Sequence, residues 1–424
     1  MALPAITAHF RLALGDVQWL VICYVLVYGS LMLVCGKLGD LFGHRLIFRI
    51  GLVISALGCA ACAAAPDWPL FLWARAGQGV GTALALSCTP ALATSVYPAN
   101  QRLRALAGFA MTMSLGAAIG PFLGGVLVEL WGWPAVYWVR VPIALLTLAL
   151  SGLLPSPKPD SRPFDATGAV LLAVCMSTLL LSLVLSQRQE VPGEWALGLF
   201  AAALIVLWSY VRRAMRVPEP IIRPVLFADP AFAIPNITNV LASLAGFSIL
   251  LLTPYYLVNV LGLSAVMSGL MLALAFTGSL AGAPISAWLT PVLGRRPTAF
   301  TGVVVVAAAL LPLGLTTATT PLPLVALLLI VEGVGQGLLA VAYTDLVMAT
   351  LPERDRGVAG SLALLTRTVG VVSGASVLSA LYAHGAVDGF LAGYRFALIA
   401  AGGGLLLALA LSCLWPRAWF RRDY

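Results

Sequence analysis

Four residues in the interior of this sequence could carry a charge or a proton within otherwise apolar segments. They are Arg75, Arg140, Glu332 and Arg367, and hydrophobic and small residues surround each of them. Burial disfavours the charged form of a carboxylate, so a buried glutamate can take up a proton on one side of a barrier and release it on the other. The sequence therefore predicts proton transfer at Glu332. The alternatives are binding of a cationic amine and simple pairing with Arg367 or Arg140.

Other kinds of chemistry are not indicated. The sequence has no Ser/His/Asp arrangement and no G-x-x-x-x-G-K-[ST] phosphate loop, so neither hydrolysis nor ATP use is predicted. The three histidines are far apart, and the seven cysteines lie in apolar runs. Cys59 and Cys62 form a C-x-x-C that no second pair accompanies. We expect no enzymatic activity, no cofactor and no metal site.

The composition predicts that lipid surrounds most of the chain. Of the 424 residues, 61% are hydrophobic and 9% are charged, whereas soluble domains have about 25% charged residues. Apolar runs of about 18–25 residues are long enough to cross a bilayer, so we predict an all-α polytopic membrane protein with thirteen spans. The predicted spans are roughly residues 17–36, 46–65, 69–92, 104–128, 134–154, 166–187, 195–213, 231–252, 266–288, 298–318, 321–345, 358–382 and 392–415.

The basic residues alternate between the predicted loops. One set of alternate loops holds most of the 24 lysines and arginines, and the opposite set holds only Arg11, Arg188 and Arg395. By the positive-inside rule, the basic set and the C-terminus are cytoplasmic, and thirteen spans then put the N-terminus outside. This pattern explains the net charge of +8 without a nucleic-acid partner. The basic set contains Lys37, Arg45, Arg49, Arg102, Arg104, Lys158, Arg162, Arg212, Arg213, Arg216, Arg223, Arg295, Arg296, Arg354, Arg356, Arg417, Arg421 and Arg422.

An internal repeat divides the chain. Two related halves around a midplane cavity are a common plan for transporters. The repeat predicts an N-terminal bundle at residues 1–154, a linker with two inserted spans at 155–230, and a C-terminal bundle at 231–424. Pro98, Arg102, Gly116 and Gly120 recur in order as Pro352, Arg356, Gly370 and Gly374, and Gly43 and Arg45 recur as Gly294 and Arg296.

The loop after the first predicted span contains Gly36, Asp40, Gly43 and Arg45. It resembles the G-x-L-a-D-r-x-G-r-k/r motif of the major facilitator superfamily. Asp40 could pair with a cation or cap a neighbouring helix, with Arg45 as a partner charge, and so latch the two halves together. The alternative is an ordinary polar loop. In the second copy Pro291 replaces the aspartate, so we expect a strong latch on one half only.

Arg75 and Gln78 belong to a second motif, Arg75-Ala-Gly-Gln78-Gly-Val-Gly81. It resembles the R-x-x-Q-G-x-G motif of the same superfamily, and the resemblance implies a role for the arginine in proton coupling. A central arginine in a membrane costs at least roughly 2.5–3.5 kcal/mol, so it should face a polar cavity or an acidic partner. The alternative is a structural arginine bonded to backbone carbonyls.

A glycine stripe forms the third motif. It resembles the g-x-x-x-G-P-x-x-G-G pattern of drug:proton antiporters, and this resemblance implies export. Glycines four residues apart form one flat face on which a neighbouring helix could pack closely, while a proline bends the helix. The alternative is a generic small-residue contact. The motif consists of Gly116, Gly120, Pro121, Gly124 and Gly125.

The resemblance covers almost the whole chain and is closest to the fourteen-span drug:proton antiporter branch, including its two inserted helices. One departure is Arg140, which stands where that branch has an asparagine and would disfavour cationic drugs if it lined the cavity. In relatives, a motif like Ala2-Leu-Pro-Ala-Ile6 ends the first helix. We therefore expect that most of that helix is missing here and that the reading frame upstream of Met1 encodes it.

These observations predict a secondary active transporter of the bacterial inner membrane. Its predicted function is proton-coupled efflux of amphipathic drugs or similar small molecules by alternating access, and we expect it to act as a monomer. Two alternatives remain open. One is export of an endogenous metabolite or siderophore, and the other is a transport-inactive membrane sensor or scaffold.

Overall fold

The computed structural model describes residues 3–12, 16, 19–155, 162–188 and 191–420. Lys158, Arg421 and Arg422 of the predicted cytoplasmic set lie outside these residues. The described part of the chain is helical throughout and contains no strand. Its α-helices are α1 Leu3–Phe10, α2 Trp19–Phe42, α3 His44–Ala63, α4 Trp68–Ser95, α5 Arg102–Trp131, α6 Ala135–Trp138, α7 Arg140–Leu150, α8 Ala166–Leu185, α9 Gly193–Ala214, α10 Pro230–Leu251, α11 Thr253–Asn259, α12 Ala265–Leu293, α13 Arg295–Gly314, α14 Leu322–Thr350, α15 Arg356–Gly385, α16 Phe390–Ser412 and α17 Arg417–Phe420.

The predicted fold class is confirmed. Among the described residues, twelve helices are long and apolar enough to cross a membrane. The predicted third span is α4, which is also long enough, with 28 residues. It is less apolar than the others because Arg75, Gln78 and several glycines lie within it.

Acidic residues and glycines mark where helices begin. Asp67, Asp165 and Asp229 accept hydrogen bonds from backbone amides in the first turns of α4, α8 and α10, which satisfies donors that a helix N-terminus leaves unpaired. Gly43 precedes α3 with φ of 97°, and its repeat counterpart Gly294 precedes α13 with φ of 99°. Only glycine adopts such angles without strain, so both copies of the repeat make the same turn.

The helices pack into an N-terminal group and a C-terminal group. In the first, α4 packs against α2 and α3, and α3 packs against α7. In the second, α14 packs against α12 and α13, and α15 packs against α10 and α16. Among the described residues, four helix pairs connect the groups: α2 with α15, α4 with α15, α5 with α12, and α5 with α14. The inserted helix α8 packs on α9 and also touches α2 and α15, so it lies alongside one of these contacts.

Glycines allow the backbones of α12 and α14 to meet. A Cβ added at Gly333 would lie 1.9 Å from the carbonyl oxygen of Ala275, and one at Gly278 would lie 2.1 Å from that of Ile330. Small residues let helices approach closely in membranes, where lipid offers little hydrophobic drive for association. These contacts hold α14, the helix of Glu332, at a fixed depth against α12.

The predicted packing at the glycine stripe of α5 does not occur among the described residues. A Cβ added at Gly116, Gly120 or Gly124 would have no described atom within 4 Å, and Gly125 is half-buried. The helix continues through Pro121. The four-residue spacing put the glycines on one face, as expected, but the neighbours of α5 lie on its other faces.

Candidate functional site

Asp40 lies at the contact between the N-terminal and C-terminal groups, at the end of the bundle where Lys37, Arg102 and Arg356 cluster. We call this end the basic face. The Asp40 side chain is fully buried and accepts hydrogen bonds from the amides of Gly357 at 2.6 Å and Val358 at 3.0 Å. These amides begin α15, whose N-terminus attracts negative charge. Asp40 on α2 therefore caps a helix of the opposite group.

The close approach of α2 and α15 depends on glycine. A Cβ added at Gly36 would lie 2.6 Å from the carbonyl oxygen of Gly357, and one at Gly357 would lie 2.4 Å from that of Gly36. The His44 imidazole completes the surroundings of Asp40, with its Nε2 at 2.9 Å from the carboxylate. The motif glycines thus bring the carboxylate within hydrogen-bonding distance of the α15 amides.

Salt bridges surround this cap. Lys37, which is buried, lies 3.1 Å from the carboxylate of Asp355, just before α15. Arg162, at the start of the inserted segment, contacts the same Asp355 oxygen at 3.1 Å and Glu219 at 3.2 Å. The linker on both sides of α8 and α9 is therefore tied to the contact between the two groups.

Arg45 has a different partner from the expected one. Its guanidinium donates to the carbonyl of Leu154 at 3.1 Å, at the end of the N-terminal group. Its repeat counterpart Arg296 donates to the carbonyl of Ala418, beyond α16, at 2.8 Å. Each arginine thus closes its own half by binding the last helical segment of that half, and the side chain in contact with the Asp40 carboxylate is His44.

The sequence predicted a strong latch on one half only, and the second contact between the groups contains an acid from another helix. Asp345 of α14 is almost fully buried. Its carboxylate lies 2.9 Å from Arg102 at the start of α5 and 2.5 Å from Arg295 at the start of α13. Arg102 also donates to the Asp345 carbonyl at 3.0 Å. Pro291 stands at the aspartate position of the second motif copy, and Asp345 supplies the negative charge at this contact.

Replacing Asp345 by asparagine should destabilise the protein strongly. Removal of one partner of a buried ion pair costs about 3–5 kcal/mol, and here two arginines would lose their counter-charge. We expect the thermal unfolding temperature of the purified protein to fall by several degrees, roughly as such a loss implies. The double variant Asp345→Asn/Arg102→Gln should recover part of that decrease.

Glu353→Gln provides the matched control, because the pair of Glu353 with Arg356 is largely exposed and exposed pairs contribute about 0–1 kcal/mol. An unchanged unfolding temperature in Asp345→Asn would show that the second bridge does not hold the halves together.

Arg75 forms a group of its own within the N-terminal helices. It is 6% exposed and donates to the carbonyl of Leu20 at 3.1 Å and to Oε1 of Gln78 at 2.5 Å. The guanidinium also lies 4.5 Å from the centre of the Tyr24 ring. The described contacts of Arg75 are thus to a carbonyl, an amide and aromatic rings, which satisfy its donors without a carboxylate.

Arg140 and Arg75 both lie by the ring of Tyr137. Its guanidinium is 5.9 Å from the ring centre of Tyr137, and that of Arg75 is 5.8 Å from the same ring. Arg140 is exposed. The predicted set of Arg75, Gln78, Arg140, Glu332 and Arg367 is therefore divided between two places, because two of these residues belong to the C-terminal helices.

Glu332 and Arg367 line a cavity between the two groups. Its three compartments have volumes of about 530, 240 and 50 Å³, and Met113 of α5 and Arg367 of α15 border all three. Glu332 is 3% exposed and accepts a hydrogen bond at Oε1 from Gln336 at 3.0 Å. The cavity thus holds a buried acid beside a cation, with walls from both halves of the chain.

A polar network that the sequence analysis missed lies at one end of this cavity. The Tyr343 hydroxyl donates to Asn236 at 2.8 Å and lies 3.0 Å from the hydroxyl of Thr366. Asn239 donates to the same Thr366 oxygen at 3.0 Å. The four side chains come from α10, α14 and α15, and buried polar groups of this kind are rare in apolar spans. Their polarity within predicted spans was the available signal.

Comparison with known proteins identifies the family. The sequence profile of the Major Facilitator Superfamily matches residues 1–375 and again residues 236–420. The chain belongs to the major facilitator superfamily. It is therefore a membrane transporter that carries small molecules, and its relatives in this superfamily are carriers rather than enzymes.

Two curated relatives are exporters or transporters by name. This chain is 30% identical over 395 residues to the tetracenomycin C resistance and export protein of Streptomyces glaucescens. The match covers 92% of this chain and 73% of that protein. It is 26% identical over 387 residues to the riboflavin transporter RibZ of Clostridioides difficile, covering 91% and 84%. The solved structure of the proton:xylose symporter XylE has a TM-score of 0.65 at 16% identity, covering 98% of this chain and 90% of XylE. That last likeness shows the fold alone.

Proposed function

We propose that this transporter is a proton-coupled exporter of amphipathic small molecules that works by alternating access. The observation that supports this most is the central cavity, which lies between the two helix groups and has a single carboxylate, Glu332, among the described residues that line it. Residues 1–154 and 231–424 would rock as two bundles around this cavity, with the inserted helices between them.

The two bridges at the basic face act as the gate in this proposal. By the positive-inside rule this face is cytoplasmic. The caps and ion pairs of Asp40 and Asp345 close the cavity on that side. Both carboxylates join helices of opposite groups, so the bundles cannot separate at this face until the contacts break. Alternation between closure at the basic face and closure at the opposite face exposes the cavity to one side of the membrane at a time.

Proton movement through Glu332 supplies the driving force. A charge that crosses a potential of 100 mV releases about 2.3 kcal/mol, which supports roughly a fifty-fold gradient. Glu332 accepts a proton from outside and releases it to the cytoplasm as the bundles rock. The Arg75 guanidinium lies over the Tyr24 ring, and the ring centres of Tyr24 and Tyr28 are 5.3 Å apart. Through these rings Arg75 alters the electrostatic potential along the path of the proton.

The relatives support export as the direction of transport and multidrug or related compounds as substrates. One named relative exports tetracenomycin C, and others are multidrug resistance or multidrug transporter proteins. The riboflavin transporter favours a second candidate, export or exchange of an endogenous metabolite. We propose that the chain belongs to the fourteen-span branch, and the two inserted helices α8 and α9 support this. Since both halves of the cavity come from one chain, we propose a monomer.

Everted membrane vesicles test the proposal. Anionic, neutral and cationic amphipathic dyes are added outside vesicles whose lumen is acidified by respiration. We expect the protein to accumulate at least one dye in the lumen, and a protonophore should release it. Vesicles from cells without the protein provide the background. Accumulation equal to that background for every dye, or accumulation that the protonophore leaves unchanged, would contradict proton-coupled export.

A further inference from the structure

Arg367 occupies the central position in the cavity. It borders the apolar lobe of about 530 Å³, the lobe of about 240 Å³ that contains Glu332, and the small compartment near Tyr343. Its side chain is exposed to this space although α15 lies inside the bundle. Any molecule that fills the cavity must therefore lie beside the guanidinium.

The Arg367 guanidinium has no hydrogen-bond or ion-pair partner among the described residues. Other interior cations of the protein are paired: Arg75 binds Gln78 and a carbonyl, and Lys37 binds Asp355. A guanidinium presents five donors in a planar fork that matches a carboxylate or a similar anion. In the cavity these donors are free for a bound molecule.

Glu332 does not neutralise this charge by direct contact. Its Oε1 accepts from Gln336, which also donates to the carbonyl of Ala242 on α10 at 3.3 Å. Both side chains press against Gly246, where an added Cβ would lie 2.0 Å from Gln336 Nε2 and 2.9 Å from Glu332 Oε1. The carboxylate is thus directed into the contact between α10 and α14, and is 3% exposed.

The largest compartment is apolar. Arg367 lies at its edge, and its other charged or amide-bearing neighbour is Gln187, in the turn that follows the inserted helix α8. The lobe therefore offers an apolar surface on one side and a single cation at its border. Its apolar walls include Val21, Ile22, Val25, Met32, Val184 and Val372.

We propose that the substrate of this transporter is an amphipathic anion, such as an aromatic carboxylate or phenolate. Its acidic group binds the Arg367 guanidinium, and its apolar body fills the lobe between α2, α8 and α15. A cation of the same shape is repelled by Arg367 and gains little from Glu332, which is already engaged. This inference rests on the proposed function and names the substrate class of the same cavity.

Binding of two xanthene dyes with opposite charge tests the proposal. The full chain is reconstituted in nanodiscs of phosphatidylcholine, and binding of fluorescein and rhodamine 6G is followed by fluorescence anisotropy. We expect the wild-type protein to bind fluorescein at least tenfold more tightly than rhodamine 6G. Arg367→Gln should remove at least tenfold of the fluorescein affinity and reverse the preference, while Arg367→Lys should keep most of it.

Arg212→Gln is the matched control, because it removes the same charge from an exposed position on α9 beside Trp208. Equal or tighter binding of rhodamine 6G by the wild-type protein, or no binding of fluorescein, would overturn the inference even if Arg367→Gln fails to fold. Selective fluorescein binding without proton-driven accumulation in vesicles would keep the inference and contradict only the proposed export.

Discussion

Glu332→Gln is expected to reduce proton-driven transport to the level of vesicles that lack the protein. Glutamine has nearly the same shape as glutamate, and its side-chain oxygen can still accept from Gln336, whose Nε2 lies 3.0 Å from Glu332 Oε1. The amide cannot take up a proton, so the coupling step is lost while packing is kept. Substrate accumulation in everted vesicles measures the loss.

Exchange separates loss of coupling from loss of folding. With substrate on both sides of the membrane and no proton gradient, Glu332→Gln should still exchange labelled for unlabelled substrate, because exchange requires rocking of the bundles but no net proton release. Glu129→Gln, which changes an exposed acid near the end of α5, should leave both activities intact. Undiminished proton-driven accumulation in Glu332→Gln would remove Glu332 from the mechanism.

Asp40→Ala is expected to open the contact between α2 and α15. The variant loses two hydrogen bonds from backbone amides to a charged acceptor, and such bonds contribute about 1.5–3 kcal/mol each. A loss of even one of them shifts an equilibrium between two conformations by roughly tenfold or more. The state with the basic face closed should become a minor one, and transport should fall because the cycle loses that state.

Cys88 reports on this opening directly. It is fully buried in α4, and its sulfur would lie 2.8 Å from a Cβ added at Gly39, next to Asp40. In everted vesicles a membrane-impermeant maleimide should leave Cys88 unlabelled in the wild-type protein and label it in Asp40→Ala. The Asp40→Ala/Cys88→Ser variant should lose that label.

Asp67→Ala is the matched control for Asp40→Ala. Asp67 caps α4 within the N-terminal group, accepting from Leu70 at 2.8 Å, so its removal costs about 0.5–2 kcal/mol of stability without touching the contact between the groups. If Asp67→Ala and Asp40→Ala label Cys88 equally, the labelling reflects general loosening. The gating role of Asp40 would then be refuted.

The glycine stripe of α5 illustrates what a motif leaves undecided. The spacing of Gly116, Gly120 and Gly124 places them on one face of a helix, and the structure keeps them there. The same spacing carries no information about a neighbour, and none of the described atoms covers that face. Close packing by glycine occurs instead where Gly278 and Gly333 bring α12 and α14 together, at positions with no recognised motif.

The sequence by itself determined the features that depend on neighbouring residues in the chain. Apolar runs gave the spans, and the alternation of basic loops gave the predicted topology. The repeat gave two matching turns, with Gly43 and Gly294 at almost the same positive φ. Helix and turn formation depend on local propensity and on burial of whole segments, so a single chain is enough to read them.

The tertiary structure decided which side chains meet. Pro291 stands at the aspartate position of the second motif copy, and Asp345 provides the negative charge at that contact instead. Arg45 binds the Leu154 carbonyl rather than Asp40. Arg75 and Glu332 belong to separate sites. These contacts join residues up to 243 positions apart. They depend on which faces of packed helices touch and how far one helix is displaced along another, and the spacing of residues within a single helix does not encode that information.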